Sequence, residues 1–313
     1  MAKFAGGSTY NFGLGVSGQT SGFFIPEIYS KKVQIALRKA AVAEAICNTD
    51  YMGEISNFGD TVNIIKEPQI AVADYTRGLA VTTTNLTDQE LVLIIDQAKS
   101  FSFKIDDLEK RFSHVNFQAV AADNAAYALR DAMDVNILLA ISAGVTENVG
   151  TSLGMGTIAA PIDIGFATGE IDPLNQMALA AKNLDEANAP EDGRWFVAAP
   201  EWYNQLSNSA SKLMSVDFNA GQGSVRNGLV ASGLLRGFSM YKSNNLPTNT
   251  VASATRPAAL FGHMSSTAAA SSMNKVETVR DTGTFSDIVR GLMVWGRKVL
   301  RPEVTGKIIY KID

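Results

Sequence analysis

The sequence predicts an α+β fold, and three observations carry that expectation. The apolar spacing switches from helical to alternating near Gly59. A long alanine-rich run of helical period follows Asp106. Beyond residue 150, short strand-like and helix-like runs alternate, which is the pattern of a mixed sheet flanked by helices.

The first 25 residues are rich in Gly, Ser, Thr and Asn and read as a flexible N-terminal arm. Residues 26–58 read as a helix and its exit turn. Pro26 sits where a first-turn proline belongs, and Ile28, Ile35, Val42, Ala45 and Ile46 supply an apolar stripe. Residues 59–105 read as two strands, "DTVNIIK" and "LVLIIDQAKSFSFKIDD", with Phe101 and Phe103 on one face. Between them runs "EPQIAVADYTRGLAVTTTNLTDQE", too long for an ordinary hairpin loop and therefore read as a two-stranded projection. Residues 106–150 hold the long helix. Phe117, Val120, Ala121, Asn124, Ala128, Met133, Val135 and Leu138 fall near helical spacing, Ser113 is its candidate cap and Gly144 its end. At 1.5 Å per residue it spans some 40 Å.

Residues 151–272 alternate. "DPLNQMALAAKNLDEANAP" is a proline-bounded helix, "RWFVAAP" a buried strand, and "PEWYNQLSNSASKLM" a helix opened by Pro200. "GLLRGFSMYKSNNLP" is a strand entered by a glycine turn and stopped by Pro247. "RPAALFGHMSSTAAASSMNKVETVR" reads as strand, small-residue helix, strand. Residues 273–313 close the chain with strands broken at Arg301-Pro302.

Composition excludes several function classes. The 313 residues are 46% hydrophobic and 19% charged with a net charge of −4, which fits a large buried core and not a basic nucleic-acid grip. No apolar run approaches a membrane span or a signal peptide. Cys47 stands alone, so no intrachain disulfide forms, and a buried apolar role outweighs a catalytic thiol. His114 and His263 are the only histidines, too few for a His/Cys zinc site.

"GLGVSG", residues 13–18, matches a dinucleotide-binding pattern on its face. It lacks the preceding strand and following helix that the phosphate cradle needs, so the Gly-rich arm is the better reading. "TSLGMGT" and "NAGQGS" lack the Lys-Ser/Thr ending of a P-loop. Asp106-Asp107 read as carboxylates complementing the positive end of the long helix rather than as an acid–base pair. Trp195, Trp202 and Tyr203 have few basic neighbours and read as core anchors rather than a base-stacking platform. No catalytic, cofactor or metal residue is expected.

With chemistry excluded, the chain resembles the major capsid proteins of tailed double-stranded-DNA bacteriophages, which share the Hong Kong 97-like fold. "GRWFVAAPEWYNQL" is similar to the strand–Pro–helix of that family's axial domain, and "GLLRGFSMYKSNNLP" to its later strand. "VWGRKVLRPE" resembles a C-terminal strand of the peripheral domain, and "GDTVNII…DY…L…LIIDQAKSFSFKIDD" the extended loop with its return strand. The long helix takes the place of the spine helix. The resemblance implies an arm (1–25), an N-terminal helix and turn (26–58) and an extended loop (59–105). It further implies a spine helix with peripheral domain (106–150), an axial domain (151–272) and strands returning to the peripheral domain (273–313).

It also implies a structural function: many copies assembled as hexamers and pentamers of an icosahedral head around packaged DNA. That DNA would be contacted non-specifically, with a portal as assembly partner; the arm is too short to hold a scaffold, which implies a separate scaffolding protein or an already processed chain. The place would be the virion, with the host cytoplasm during assembly. An encapsulin-like nanocompartment shell is the nearest alternative, and a nucleotide-dependent soluble enzyme the distant one. On this reading Ile70, Val72, Tyr75, Leu79, Val81 and Leu86 are too apolar to stay in water. Pro68, Gly78 and Asn85 interrupt them too often for a core of their own. They are expected to be buried on a neighbouring subunit, with Arg77 as charged anchor. Trp195, Pro200, Trp202, Gly237 and Pro247 carry the axial-domain motif.

Overall fold

A computed structural model describes residues 38–39, 41–50, 61–66, 70, 72, 74, 76–78, 89–112, 117–145, 156–158, 160–208, 235–251 and 254–312. The arm, most of the helix expected after Pro26, Ser113 and most of the projection lie outside them. In chain order the elements are α1 (Ala43–Ile46), β1 (Thr61–Lys66), β2 (Gln89–Ile94), β3 (Gln97–Asp106), α2 (Asp107–Phe112) and α3 (Phe117–Gly144). There follow β4 (Ile162–Asp163), α4 (Pro173–Glu186), β5 (Arg194–Ala198), α5 (Pro200–Leu206), β6 (Ser239–Lys242), β7 (Thr248–Val251), β8 (Ala254–Pro257) and β9 (Ala259–His263). The chain closes with β10 (Thr267–Arg280), β11 (Ser286–Val299), β12 (Thr305–Ile308) and β13 (Tyr310–Lys311).

Two sheets and one long helix organise the molecule. The four-stranded sheet runs β12-β9-β5-β6, with β5 and β6 parallel and the other pairs antiparallel. Every residue of β5 is buried, and its two faces serve different cores. Phe196 and Ala198 join Trp202, Phe238, Phe261 and Tyr310 beneath α4 and α5. Trp195 and Val197 face Met133, Ile137, Leu138 and Ile141 of α3. A strand covered on both sides reads as a continuous apolar run, which is why "RWFVA" does not alternate. Helix α4 starts where Asp172 accepts a hydrogen bond from the Leu174 amide (2.8 Å), with Pro173 in its first turn.

The three-stranded antiparallel sheet β10-β11-β3 is built on a long hairpin, each arm 14 residues. Its inner face packs Trp295 and Met293 on α3. Phe101 lies over Gly291, where an added Cβ would sit 2.3 Å from the ring, and stacks on Phe103 at 6.0 Å. The third element, the antiparallel pair β1–β2, seats Leu93, with Val62, Ile64 and Leu91, on Ala268, Ala270 and Leu300.

The structure departs from the sequence reading in local ways. Of the helix expected over 26–46, the described part is helical only over Ala43–Ile46. Just before it, side chains of α3 take the backbone donors: Tyr127 OH accepts from Lys39 N, and Asp134 Oδ1 accepts from Val42 N and Ala43 N. The run "LVLIIDQAKSFSFKIDD" is two strands, because Ile95–Asp96 turn the chain from the β1–β2 pair into the three-stranded sheet. Gly296 lets Ile94 O approach within 2.4 Å of where a Cβ would stand, and Arg297 holds Asp96 at 2.7 Å.

After His263 the chain makes a single 3-10 turn, Met264–Ser266, and the small-residue stretch from Thr267 on is strand rather than the expected helix. Ala268 and Ala270 face the β1–β2 pair while Ala269 faces α3, so alanine marks a strand closely covered on both sides. In α3 the buried face is Leu129, Met133, Ile137, Leu138 and Ile141. Val120 and Val135 are 39% and 40% exposed, and Asn124 and Ala128 are exposed. Alanines on every side leave the sequence without a marked stripe to choose from. Finally, Asp107 begins the separate helix α2, with Asp106 Oδ1 accepting the Leu108 amide at 2.8 Å, and it pairs with Arg280 instead of serving the long helix.

Candidate functional site

Among the described residues no group of His, Cys, Asp and Glu is placed to hold a metal, and no helix is long and apolar enough to cross a membrane. Cys47 is buried, and burial, aided by the Asp134 charge, pushes its thiol up to about 12, so it stays protonated at neutral pH. The His263 ring is fully engaged in a turn: Nε2 donates to Asp192 O (2.7 Å) and Nδ1 accepts the Ser265 amide (3.1 Å). His114 lies outside the described residues. Replacing His114, His263 and Cys47 together by Asn, Asn and Ala is expected to lower stability by only about 1–3 kcal/mol, from the lost His263 bond to Asp192 O and a small void at Cys47, the cap on the Ser265 amide being one that Asn also makes. Assembly is expected to persist; a triple variant that melts normally yet forms no particles, judged by calorimetry and negative-stain microscopy, would contradict this.

What the fold does present is surface. The base of the projection is fixed by the β1–β2 ladder, from Thr61↔Ile94 to Lys66↔Gln89, seated on its own small core. Beyond it Ile70 and Val72 are 71% and 96% exposed, and Arg77 is exposed in a turn where Gly78 has φ +93°. Tyr75, Leu79, Val81 and Leu86 lie outside the described residues. Trp195 and Trp202 are buried, with Trp202 against Tyr310 (5.1 Å) and Phe196 (5.5 Å). Pro200 opens α5. Arg236 (φ +53°) and Gly237 (φ +83°) form the two-residue turn between Leu235 and Phe238, so Gly237 answers a backbone need. Pro247 O accepts the Ala258 amide at 3.0 Å.

Two features were not legible in the sequence. One is a buried junction on α3. Asp134, 2% exposed, accepts the Val42 and Ala43 amides at 2.8 and 2.7 Å through Oδ1 and the Asn245 amide group at 2.9 Å through Oδ2. Asn245 also donates to Asp131 (2.7 Å) and accepts from Lys39 Nζ (3.0 Å). One carboxylate thus ties the segment before α1 and the loop after β6 to the long helix. An acidic residue inside a helical run carries no sequence mark of such a role.

The other is the β10–β11 turn. Asp281 accepts from Lys104 Nζ (2.6 Å), Thr284 Oγ1 (2.6 Å) and the Gly283 amide (3.1 Å). Arg280 pairs with Asp107 and, at 3.1 Å, with Asp287, which also meets Lys110 at 3.3 Å. Phe285 caps the turn 82% exposed beside Leu108, 65% exposed, its carbonyl accepting the Asp107 amide at 3.1 Å. The Lys104 hydrogen bond, then Thr284 and Gly283, holds the Asp281 carboxyl well below its ordinary range. Arg280 does the same for Asp107 and Asp287.

A carboxylate with a depressed folded value stabilises the fold above its ordinary value, near 4, and loses that contribution as pH falls through the folded one. Asp281→Asn is therefore expected to lower the melting midpoint at pH 7, the gap to the parent chain narrowing as pH falls below about 4 and closing only at pH values below the depressed folded one. An unchanged gap across that range in calorimetric scans would contradict the assignment.

Comparison with solved structures places this architecture. A chain from Mycobacterium phage Che8 superposes with a TM-score of 0.75 at 28% identity, covering 91% of this chain and 97% of that one. A chain from the capsid of the cyanophage P-SCSP1u gives 0.73 at 20% identity, covering 97% and 99%. The chain has the Hong Kong 97-like phage capsid fold. A chain from the capsid of a native GTA particle also shares this capsid fold at 12% identity, with a TM-score of 0.61 over 96% and 99% of the two chains. No protein-family model and no curated protein matches. The capsid fold extends over nearly the whole chain.

Proposed function

We propose that the chain is a phage major capsid protein, whose copies close into the icosahedral head that encloses double-stranded DNA. The capsid fold over nearly the full length carries this reading. The exposed Ile70 and Val72 beyond the β1–β2 ladder support it, since exposed apolar side chains past an anchored base suit burial on another chain. Ile70, Val72, Tyr75, Arg77, Leu79, Val81 and Leu86 are the proposed contacts to the neighbour. The motif around Trp195, Pro200, Trp202, Gly237 and Pro247 shapes an axial lobe meeting its copies in hexamers and pentamers. Closed shells need heterologous contacts whose rotation closes, which a reaching ribbon supplies.

The chain works as structure rather than as an enzyme, in the virion after assembly in the host cytoplasm. A separate scaffolding protein and a portal are its assembly partners, and a net charge of −4 suits a wall that holds DNA only loosely. Expression of the full chain with velocity sedimentation and negative-stain microscopy tests the reading. Rapidly sedimenting closed particles are expected. A monomer at every concentration, with or without crowding agents, would overturn it.

A further inference from the structure

We propose that the chain ahead of α1 is held on α3 by a two-stage strap, whose outer stage opens with ionic strength while its inner stage stays shut. The inference is independent of the shell reading, since every group in it belongs to one subunit. Asp123, Tyr127, Asp131 and Asp134 recur at helical spacing in α3 and share one of its faces. The segment from Arg38 to Ala43 meets them in the same order. In the outer stage, the Arg38 guanidinium pairs with Asp123 and lies over the Tyr127 ring, 5.3 Å from its centre. The Tyr127 hydroxyl accepts from the Lys39 amide at 2.7 Å, and Lys39 Nζ reaches Asn245 Oδ1 at 3.0 Å and Asp131 at 3.9 Å. In the inner stage, Asp134 takes the Val42 and Ala43 amides, and both residues sit in the core with Met133 and Ile137.

Exposure separates the stages. The side chains of Arg38, Lys39 and Asp123 are 35%, 47% and 65% exposed, whereas Asp134 is 2% exposed. An open cleft of about 320 Å³ runs beside the strap, with Arg38, Lys39 and Arg130 set among the carboxylates of Glu44, Asp131 and Asp134. Dissolved ions reach the outer pairs through it. Salt screens exposed charges and hardly touches neutral donors on a buried carboxylate. The Lys39 amide bond is itself neutral, but it stays closed only while the two cationic side chains hold the segment down. Exposed pairs contribute little each, so the outer stage opens easily. Opening lifts residues 38–39 off α3 while α1 keeps its seat. Ionic strength thereby sets where the chain ahead of α1 departs from the subunit.

Hydrogen exchange of the free subunit, read at single amides by electron-transfer fragmentation, tests this. Between about 20 mM and about 0.5 M sodium chloride, protection of the Lys39 amide is expected to fall at least about threefold, with Val42 and Ala43 unchanged. Asp123→Asn is expected to start from lower Lys39 protection and to respond less to salt. Tyr127→Phe removes the acceptor, so Lys39 protection is expected to vanish at every salt concentration with Val42 and Ala43 still protected. Lys39 protection indifferent to salt in the parent chain, or surviving Tyr127→Phe, would overturn the inference. So would protection lost at all three amides together, because the segment would then leave α3 as one unit. Each of these results leaves the shell reading standing, which sedimentation tests separately.

Discussion

Replacing residues 68–88 by a Gly-Asn turn is expected to give a folded, soluble subunit that forms no shells. The cut lies beyond the ladder, since Lys66 still faces Gln89 and Leu93 still sits on Ala268, Ala270 and Leu300. The loop left between the paired Lys66 and Gln89 is Glu67-Gly-Asn, and three-residue hairpin loops are common between antiparallel strands. Among the described residues the replacement removes Ile70 and Val72, 71% and 96% exposed. Burying an Ile70 or Val72 side chain on a neighbour is worth about 2 kcal/mol. Repeated around a closed shell, the loss acts at every ribbon at once. The melting midpoint of the free subunit is expected to move by only a few degrees. Dynamic light scattering and negative-stain microscopy check the outcome, and normal particles would remove the projection from the account.

Asp134→Ala is the most damaging single substitution the structure points to. It strands the buried amides of Val42 and Ala43 and one donor of Asn245, and it leaves Lys39 and Asp131 with a void beside them. Breaking a buried hydrogen-bonded carboxylate in this way costs about 3–5 kcal/mol. At about 2–4 °C per kcal/mol for a chain of this size, the midpoint is expected to fall by roughly 10 °C. Asp134→Asn keeps an acceptor for the two amides but sets its own amide group against that of Asn245, so about half that loss is expected. Calorimetry on the three chains decides the matter. An alanine variant melting with the parent would show that the junction holds nothing.

The fold was legible where packing leaves a one-dimensional trace. "RWFVA" is apolar throughout because both its faces are covered, and Pro200 and Asp172 mark helix starts by their backbone chemistry. It was not legible where a residue's role depends on what lies opposite. The alanines after His263 are strand because the β1–β2 pair and α3 press on them from two sides. The break at Ile95–Asp96 follows from Gly296, some 200 residues away in the chain, which no local pattern shows. Of the segment read as a projection, the described Ile70, Val72 and Arg77 are exposed. The Asp134 junction and the Phe285 turn could not be read, since the first assembles partners from three separated segments and the second from two.

The central claim is that copies of this chain close on one another through the projection. An electron cryomicroscopy reconstruction of particles formed by the full chain tests it most directly. The account predicts closed shells in which residues 67–88 of each copy lie on an adjacent copy, with Ile70 and Val72 buried there. Particles in which that segment folds back on its own subunit, or a chain that stays monomeric under every assembly condition, would contradict it.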